Sequence, residues 1–276
     1  MSANETAANQ FVRDLVWAAS SPPLLRPDDT AFIPTLDPAA IDREKLAAFL
    51  GERPERRVGH YFENLIHFWL EHIRRVEILA HRQQVWDGDR TVGELDFIFR
   101  DETGRLTHWE VAIKFYFLTK PSDGTQPQYL GPNTADSLER KIARMNDHQL
   151  PLSSRIYDNI DVRQAFVKGR IYHHPNSTGQ PAGPAALDPD HLRGVWLHQD
   201  DVASFAETHR LEARNFAVLK KPFWLTPAVD RIAIDELEKF VETHFRESSN
   251  ALHLAVFDRT DKEILRIFVV SNAWPA

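Results

Sequence analysis

Two segments constrain this chain more than any other feature. Thr91-Val-Gly-Glu-Leu-Asp-Phe-Ile-Phe-Arg100 and Thr107-His-Trp-Glu-Val-Ala-Ile-Lys-Phe-Tyr-Phe117 both set apolar against ionisable residues with a period of two, the pattern of a strand. Side chains along a strand point alternately to opposite faces. In the first segment Leu95, Phe97 and Phe99 therefore share one face, and Glu94 and Asp96 the other. In the second, Trp109, Val111, Ile113 and Phe115 form an apolar face, while His108, Glu110, Ala112, Lys114 and Tyr116 point oppositely. Asp101-Glu-Thr-Gly-Arg105 reads as the hairpin turn between them. Pairing the strands brings Asp96, Glu110 and Lys114 together, and two carboxylates with an ammonium suit a divalent metal and an activated water.

Charged residues on the open face of a sheet are ordinary decoration. Here both strands are strongly apolar on one face and are flanked by helix-like segments, which predicts a sheet covered on both sides. A carboxylate on a covered face needs a partner, a metal or a cleft. A plain ion pair with Lys114 remains the competing reading.

The chain has 276 residues, 42% of them hydrophobic, enough for one large domain or two small ones. It has no cysteine, which excludes disulfides, thiolate metal sites and a cysteine nucleophile. The N-terminal stretch lacks a basic region followed by an apolar run, and no uncharged segment reaches membrane-spanning length. These features lead us to expect a cytoplasmic protein with no membrane partner. A net charge of −7 argues against a broadly basic surface for nucleic acid. Local basic grooves stay open: Arg140, Lys141 and Arg144 cluster in one helix-like stretch, and Arg163, Lys168 and Arg170 in the next. Each cluster is either a solvated face or a phosphate-binding surface.

Periodicity and turn residues place the other elements. A helix is expected over 9–20, stopped by Ser20-Ser-Pro-Pro and Arg26-Pro-Asp-Asp, and a second from Pro38 with Asp37 as its cap. From Arg57 to about Arg75, Tyr61, Phe62, Leu65, Phe68, Trp69 and Ile73 recur at helical spacing, with Glu63 and His67 beside them. Strands follow over 77–86, 91–100 and 106–118, then a loop over 121–127, a helix over 134–149 with Leu138, Ile142 and Met145 inward, and a strand over 166–173. A Pro- and Gly-rich loop covers 176–189. Short strands are expected at 194–198 and 216–219, a helix at 234–245, and a closing hairpin from 252–257 and 264–270. This predicts an N-terminal helical extension over residues 1–56, a core over 57–175 and a C-terminal elaboration over 176–276 packed on the same domain.

The order helix, three strands, helix, strand carries a glutamate on its first helix, an aspartate on the middle strand and Glu…Lys on the next. That pattern resembles the PD-(D/E)XK nuclease superfamily. Arg57-Val-Gly-His-Tyr-Phe-Glu63, Gly93-Glu-Leu-Asp-Phe97, His108-Trp-Glu-Val-Ala-Ile-Lys-Phe-Tyr116 and Gly131-Pro-Asn133 with Asp136 and Lys141 are more closely similar to a bacterial family of uncharacterised proteins, the domain of unknown function 1853. Lys221-Pro-Phe-Trp-Leu-Thr-Pro227 fits that family too, and the similarity spans most of the chain from about residue 10. The family supplies no function, so only the superfamily supplies chemistry. The resemblance implies an α/β (α+β) fold with a restriction-endonuclease-like αβββαβ core, a mixed central sheet flanked by helices, and N- and C-terminal elaborations. It implies that Asp96, Glu110 and the backbone carbonyl of Val111 hold Mg²⁺ (or Mn²⁺). By the same resemblance Glu63 acts through water or the metal, and Lys114 is the catalytic lysine. The superfamily lysine usually lies two residues after the acid, where this chain has Ala112. Lys114 lies roughly 6.6 to 6.8 Å further along an extended strand, on the same face.

Two functions are compatible with this pattern. One is a metal-dependent nuclease hydrolysing phosphodiester bonds of DNA or RNA, with Arg140, Lys141 and Arg144 on the nucleic-acid backbone. The other is a catalytically inactive nuclease-like module that binds nucleic acid or protein, favoured by the displaced lysine and the acidic charge. No HExxH zinc spacing, Gly-rich phosphate loop or nucleophile elbow is present. Glu94 reads as an exposed strand residue, and His148-Gln149 as a helix cap or packing feature. The oligomeric state stays open.

Overall fold

The computed structural model describes residues 3–27, 35–119, 128–177, 183–209, 212–227 and 229–275. The loop expected over 121–127 lies outside them, as do Asp28 and Asp29 of the first helix stop and part of the 176–189 loop. In chain order the main helices are α1 (Ala3–Ser20), α2 (Arg43–Gly51), α3 (Val58–Phe68), α4 (Leu138–Arg144), α5 (Leu150–Leu152), α6 (Val202–His209) and α7 (Leu237–Glu247). The strands are β1 (Glu77–Asp87), β2 (Arg90–Arg100), β3 (Leu106–Thr119), β4 (Gln128–Leu130), β5 (Val162–His173), β6 (Leu192–His198), β7 (Asn215–Val218), β8 (Ile232–Ala233), β9 (Leu252–Phe257) and β10 (Glu263–Val270). They form a ten-stranded mixed sheet flanked by helices, in the order β1-β2-β3-β5-β6-β10-β9-β7-β8, with β4 on β3. Strand β6 runs parallel to β5 and to β10, whereas β1–β2, β2–β3 and β9–β10 are antiparallel.

The chain divides into two compact units. The first is Met1–Lys114, Glu139–Gly169 and Pro184–His191, and the second is Phe115–Leu138, Arg170–Gly183 and Leu192–Ala276. In the first unit, α3 forms where the sequence expects its strongest apolar stripe. It continues through a π-type turn, Trp69–Arg74, and ends where Arg75 turns left-handed at φ 55°. The stripe covers the apolar face of the strands: Trp69 lies 6.0 Å from both Trp109 and Phe166, and Trp109 stacks on Phe166 at 4.8 Å. Such aromatic contacts add to the burial of large apolar surfaces. The second unit has its own core, in which Phe216, Leu254 and Ile267 are fully buried beside Leu237 and Val241 of α7.

Several expectations shift by a few residues for local reasons. The helix expected from Pro38 splits in two. Asp37 caps a short turn by accepting from the Ala39 N–H at 2.9 Å, Ile41 is extended, and Asp42 then caps α2 by accepting from the Lys45 N–H at 3.0 Å. Two competing N-caps give two helix starts. The helix expected from Thr134 begins at Leu138 because Thr134 is left-handed at φ 57° inside a turn closed by the Gly131 N–H on the Asp136 carbonyl. It then runs on through a π-type turn, Met145–Gln149, into α5. The elements α6, β4 and β8 are additional to the sequence expectation.

The second basic cluster does not present itself to a phosphate. Lys168 is fully buried, and its ammonium ties the end of α1 by donating to the carbonyls of Ala19 and Ser21. A cation there complements the C-terminal end of a helix. Burial pulls its pKa down to about 8. Arg163 donates to the Ser153 and Ser154 hydroxyls, and Arg170 to the Arg193 carbonyl.

One glycine sets how closely β3 and β5 approach. Gly169 has φ +148°, and a Cβ there would meet the Lys114 carbonyl oxygen at 1.8 Å, backbone that cannot swing aside. By contrast, a Cβ on exposed Gly59 in the first turn of α3 meets nothing. Chemical denaturation should therefore show Gly169→Ala destabilised by about 2–3 kcal/mol or more, and Gly59→Ala stabilised by about 0.5 kcal/mol. A neutral Gly169→Ala would contradict the close approach.

Candidate functional site

The β2–β3 ladder runs from Arg100↔Leu106 to Phe97↔Trp109 and stops there. The next β2 residue is Asp96, whose Oδ2 accepts the Val111 N–H at 2.8 Å, so a side chain takes the place of strand pairing. On the other side, Arg82 of β1 is left-handed at φ 52° between the pairs His81↔Phe97 and Gln83↔Leu95. Both neighbours of Asp96 are thus irregular. The strict alternation also breaks here: Leu95 joins Ile98, Val85 and Leu152 in one cluster, whereas Phe97 packs on His81 and Phe99 on Trp109. The expectation that Leu95 shares a face with Phe97 and Phe99 is corrected at the point where the ladder ends.

Glu110 is fully buried and hydrogen-bonded at both oxygens. Its Oε1 lies 2.9 Å from His108 Nε2, and its Oε2 accepts the Gln149 amide at 2.6 Å. The Lys141 ammonium donates to the other end of the same amide, Gln149 Oε1, at 2.9 Å. A carboxylate only accepts, so His108 Nε2 carries a proton; its Nδ1 is buried without a partner.

The two acids repel. Burial, and then the charge of Glu110, push the Asp96 pKa up to about 8, against the Val111 N–H and the Lys141 charge. Burial lowers the pKa of Lys141, Lys114 lowers it further, and Glu110 and Asp96 oppose both. Asp96, Glu110, Lys114 and Lys141 therefore share one electrostatic field. Glu63 feels that field but is fixed elsewhere. Arg82 grips it through two bonds of 2.6 and 3.0 Å, and His81 Nε2 lies 3.0 Å away. Burial favours the neutral acid, but those bonds outweigh it and hold the Glu63 pKa below its usual value.

The expected site residues fall into three groups. Asp96 and Glu110 interact by charge, Val111 contacts Asp96 through its amide nitrogen, and Lys114 acts on Lys141, which both acids also influence. Arg140 and Arg144 are exposed, one turn apart on α4. Lys141, expected beside them, instead turns inward. Its signal was present in the sequence: Leu138, Lys141, Met145 and Gln149 fall on one helical stripe, of which Leu138 and Met145 are buried. Gln149, read there as a cap or packing feature, is the partner of Glu110. His148 Nε2 meets the Val92 carbonyl at 3.0 Å, and Glu94 is exposed.

The donor set fits a hard divalent cation. Asp96 Oδ1 accepts no hydrogen bond from the described residues. Each Glu110 oxygen takes one contact and keeps a further lone pair. All these ligand atoms are carboxylate oxygens, the type Mg²⁺ and Mn²⁺ prefer.

Fold and site together define an α/β protein with a carboxylate pair, Glu110 fully buried and Asp96 half-buried, at a break in a mixed sheet. Its family follows from comparison: the model of the family described as Domain of unknown function (DUF1853) matches residues 13–270, and the chain belongs to that family. No curated protein and no solved structure matches it.

Asp96 provides a pH test. It binds its proton up to about pH 8 when folded, against an ordinary value of 3.8. Between these values the native state holds the extra proton, so this contribution to stability falls as pH rises from about 4 to about 8. In chelator-treated protein, Asp96→Asn should melt above the parent at pH 8, and the gap should close by pH 4. A gap independent of pH would contradict the burial of this charge.

Proposed function

We propose that this protein is a divalent-metal-dependent phosphodiesterase of the PD-(D/E)XK type, acting on nucleic acid. The observation that carries the reading is the Asp96–Glu110 pair, half-buried Asp96 beside fully buried Glu110, with the Lys141 charge acting on it. Bound Mg²⁺ would polarise the scissile phosphate and lower the pKa of an attacking water. Asp96 Oδ1 and the Glu110 carboxylate are the groups to hold it. The Val111 N–H fixes the orientation of Asp96, and His108 with Gln149 fixes that of Glu110, the work of outer-shell partners in metal sites. Lys114 and Lys141 orient the water and offset the charge that develops on the phosphate. Lys141, its pKa lowered by burial, is suited to carry a proton. Arg140 and Arg144 hold flanking phosphates.

One observation favours the inactive module instead: both Glu110 oxygens are already hydrogen-bonded. Incubating the protein with single-stranded, duplex and branched DNA and with RNA, in Mg²⁺ or Mn²⁺, separates the two. We expect cleavage of at least one substrate, its loss in Asp96→Asn and Glu110→Gln, and a drop of about 10²-fold or more in Lys141→Met and Lys114→Met with the fold retained. Arg140→Ala with Arg144→Ala should weaken binding and reduce its salt slope by about two. Binding without cleavage of any substrate would support the module. Lysine variants that cut normally but lose several kcal/mol of stability would make the lysines structural neutralisers.

A further inference from the structure

We propose that His174, His198 and Asp201 of the second unit form a binding site for a borderline transition-metal dication of the Zn²⁺ class. Strands β5, β6 and β10 run parallel and end at neighbouring positions, His173 pairing with Val195 and Val270 with His198. Crevices outside the carboxyl ends of parallel strands are where α/β sheets place their ligands. His174 follows β5, His198 ends β6, and Asp201 closes the short turn Gln199–Asp201. One donor atom from each lies within 4.8 Å of the others.

Hydrogen bonding fixes what those atoms present. His198 Nε2 lies 2.9 Å from the Trp274 carbonyl, an acceptor, so Nε2 carries the proton. The opposite nitrogen, Nδ1, is then the acceptor; it takes the Asp201 N–H in a reciprocal capping box and lies 3.7 Å from Asp201 Oδ2. A cation bound by both atoms would replace that cap contact. A backbone carbonyl on the remote ring nitrogen is also the usual outer-shell partner of a metal-bound histidine. His174 Nε2 completes the group at 3.3 Å from the same carboxylate oxygen, which also accepts the His198 N–H at 3.3 Å. Ligation through Nε2 puts the His174 proton on Nδ1 and opens its 3.3 Å contact with the N–H of exposed Asn176. Both rings pack against buried Trp196, at 4.7 and 5.1 Å, which limits their rotation.

Two imidazole nitrogens and one carboxylate suit Zn²⁺, Co²⁺ or Ni²⁺ rather than Mg²⁺ or Ca²⁺. The three side chains keep some exposure, so the remaining coordination positions face solvent, as in sites where zinc keeps an open position. The purely structural alternative is that His198 and Asp201 only cap the turn, each side chain accepting the other's backbone N–H.

The test is a Co²⁺ titration of the chelator-stripped full-length protein, following visible d–d absorption and melting temperature. We expect a saturable band, a rise in melting temperature, and displacement by Zn²⁺ but not by Mg²⁺. His174→Asn and His198→Asn should each weaken binding by about tenfold or more. Asp201→Asn keeps an oxygen for the turn and removes the ligand charge, so it decides the matter if a histidine variant melts early. Absence of a band in the parent protein, or a band unchanged in all three variants, would overturn the assignment.

Discussion

The hydrogen bond from the Val111 N–H to Asp96 is the contact around which the candidate site is organised. A backbone donor inside a sheet normally belongs to the neighbouring strand. Here a carboxylate takes it, at the residue where the β2–β3 ladder ends. That substitution lets an acid sit within the sheet with one oxygen satisfied and the other open. It also stops β2 from closing over Glu110. The left-handed Arg82 on β1 faces the same register position, and its guanidinium holds Glu63 rather than Asp96. Among the described residues no cation contacts Asp96 directly, and burial, then the Glu110 charge, raises its proton affinity.

Burying two carboxylates together is costly unless a cation or a proton shares the site. The fold supplies partial remedies. Lys141 is bridged to Glu110 by the Gln149 amide and its charge opposes the rise in the Asp96 pKa, while Lys114 bears on Lys141. His108 and Gln149 hold Glu110 without discharging it. The balance leaves Asp96 with a pKa near 8. A site that keeps one acid mostly protonated at neutral pH is one to which a divalent cation adds stability by displacing that proton and binding the folded state alone. Gly169 contributes from beneath, since only glycine lets β5 approach the backbone that carries Lys114.

Periodicity made the acid pair legible. Asp96 and Glu110 are on strands whose alternation is visible in the sequence, and the turn at Asp101–Arg105 fixes their register. The α3 stripe and the β9–β10 hairpin were legible for the same reason, because each shows its period within its own segment. Lys141 was grouped with Arg140 and Arg144 because polar residues on a helix default to the solvent side, although its spacing from Leu138 and Met145 pointed inward. Lys168 was misread because its partners, at the end of α1, are far away in sequence. The His174, His198 and Asp201 group depends on which strands run parallel, and no local pattern announces that.

The central claim is that Asp96 and Glu110 bind a divalent cation, and anomalous scattering tests it most directly. Crystals soaked in Mn²⁺ should show a peak at the manganese edge within about 2.0–2.3 Å of Asp96 Oδ1 and a Glu110 oxygen, with Gln149 still bonded to Glu110. A map without that peak, in which a lysine ammonium instead contacts Asp96, would contradict the claim and leave the acid pair a neutralised structural feature.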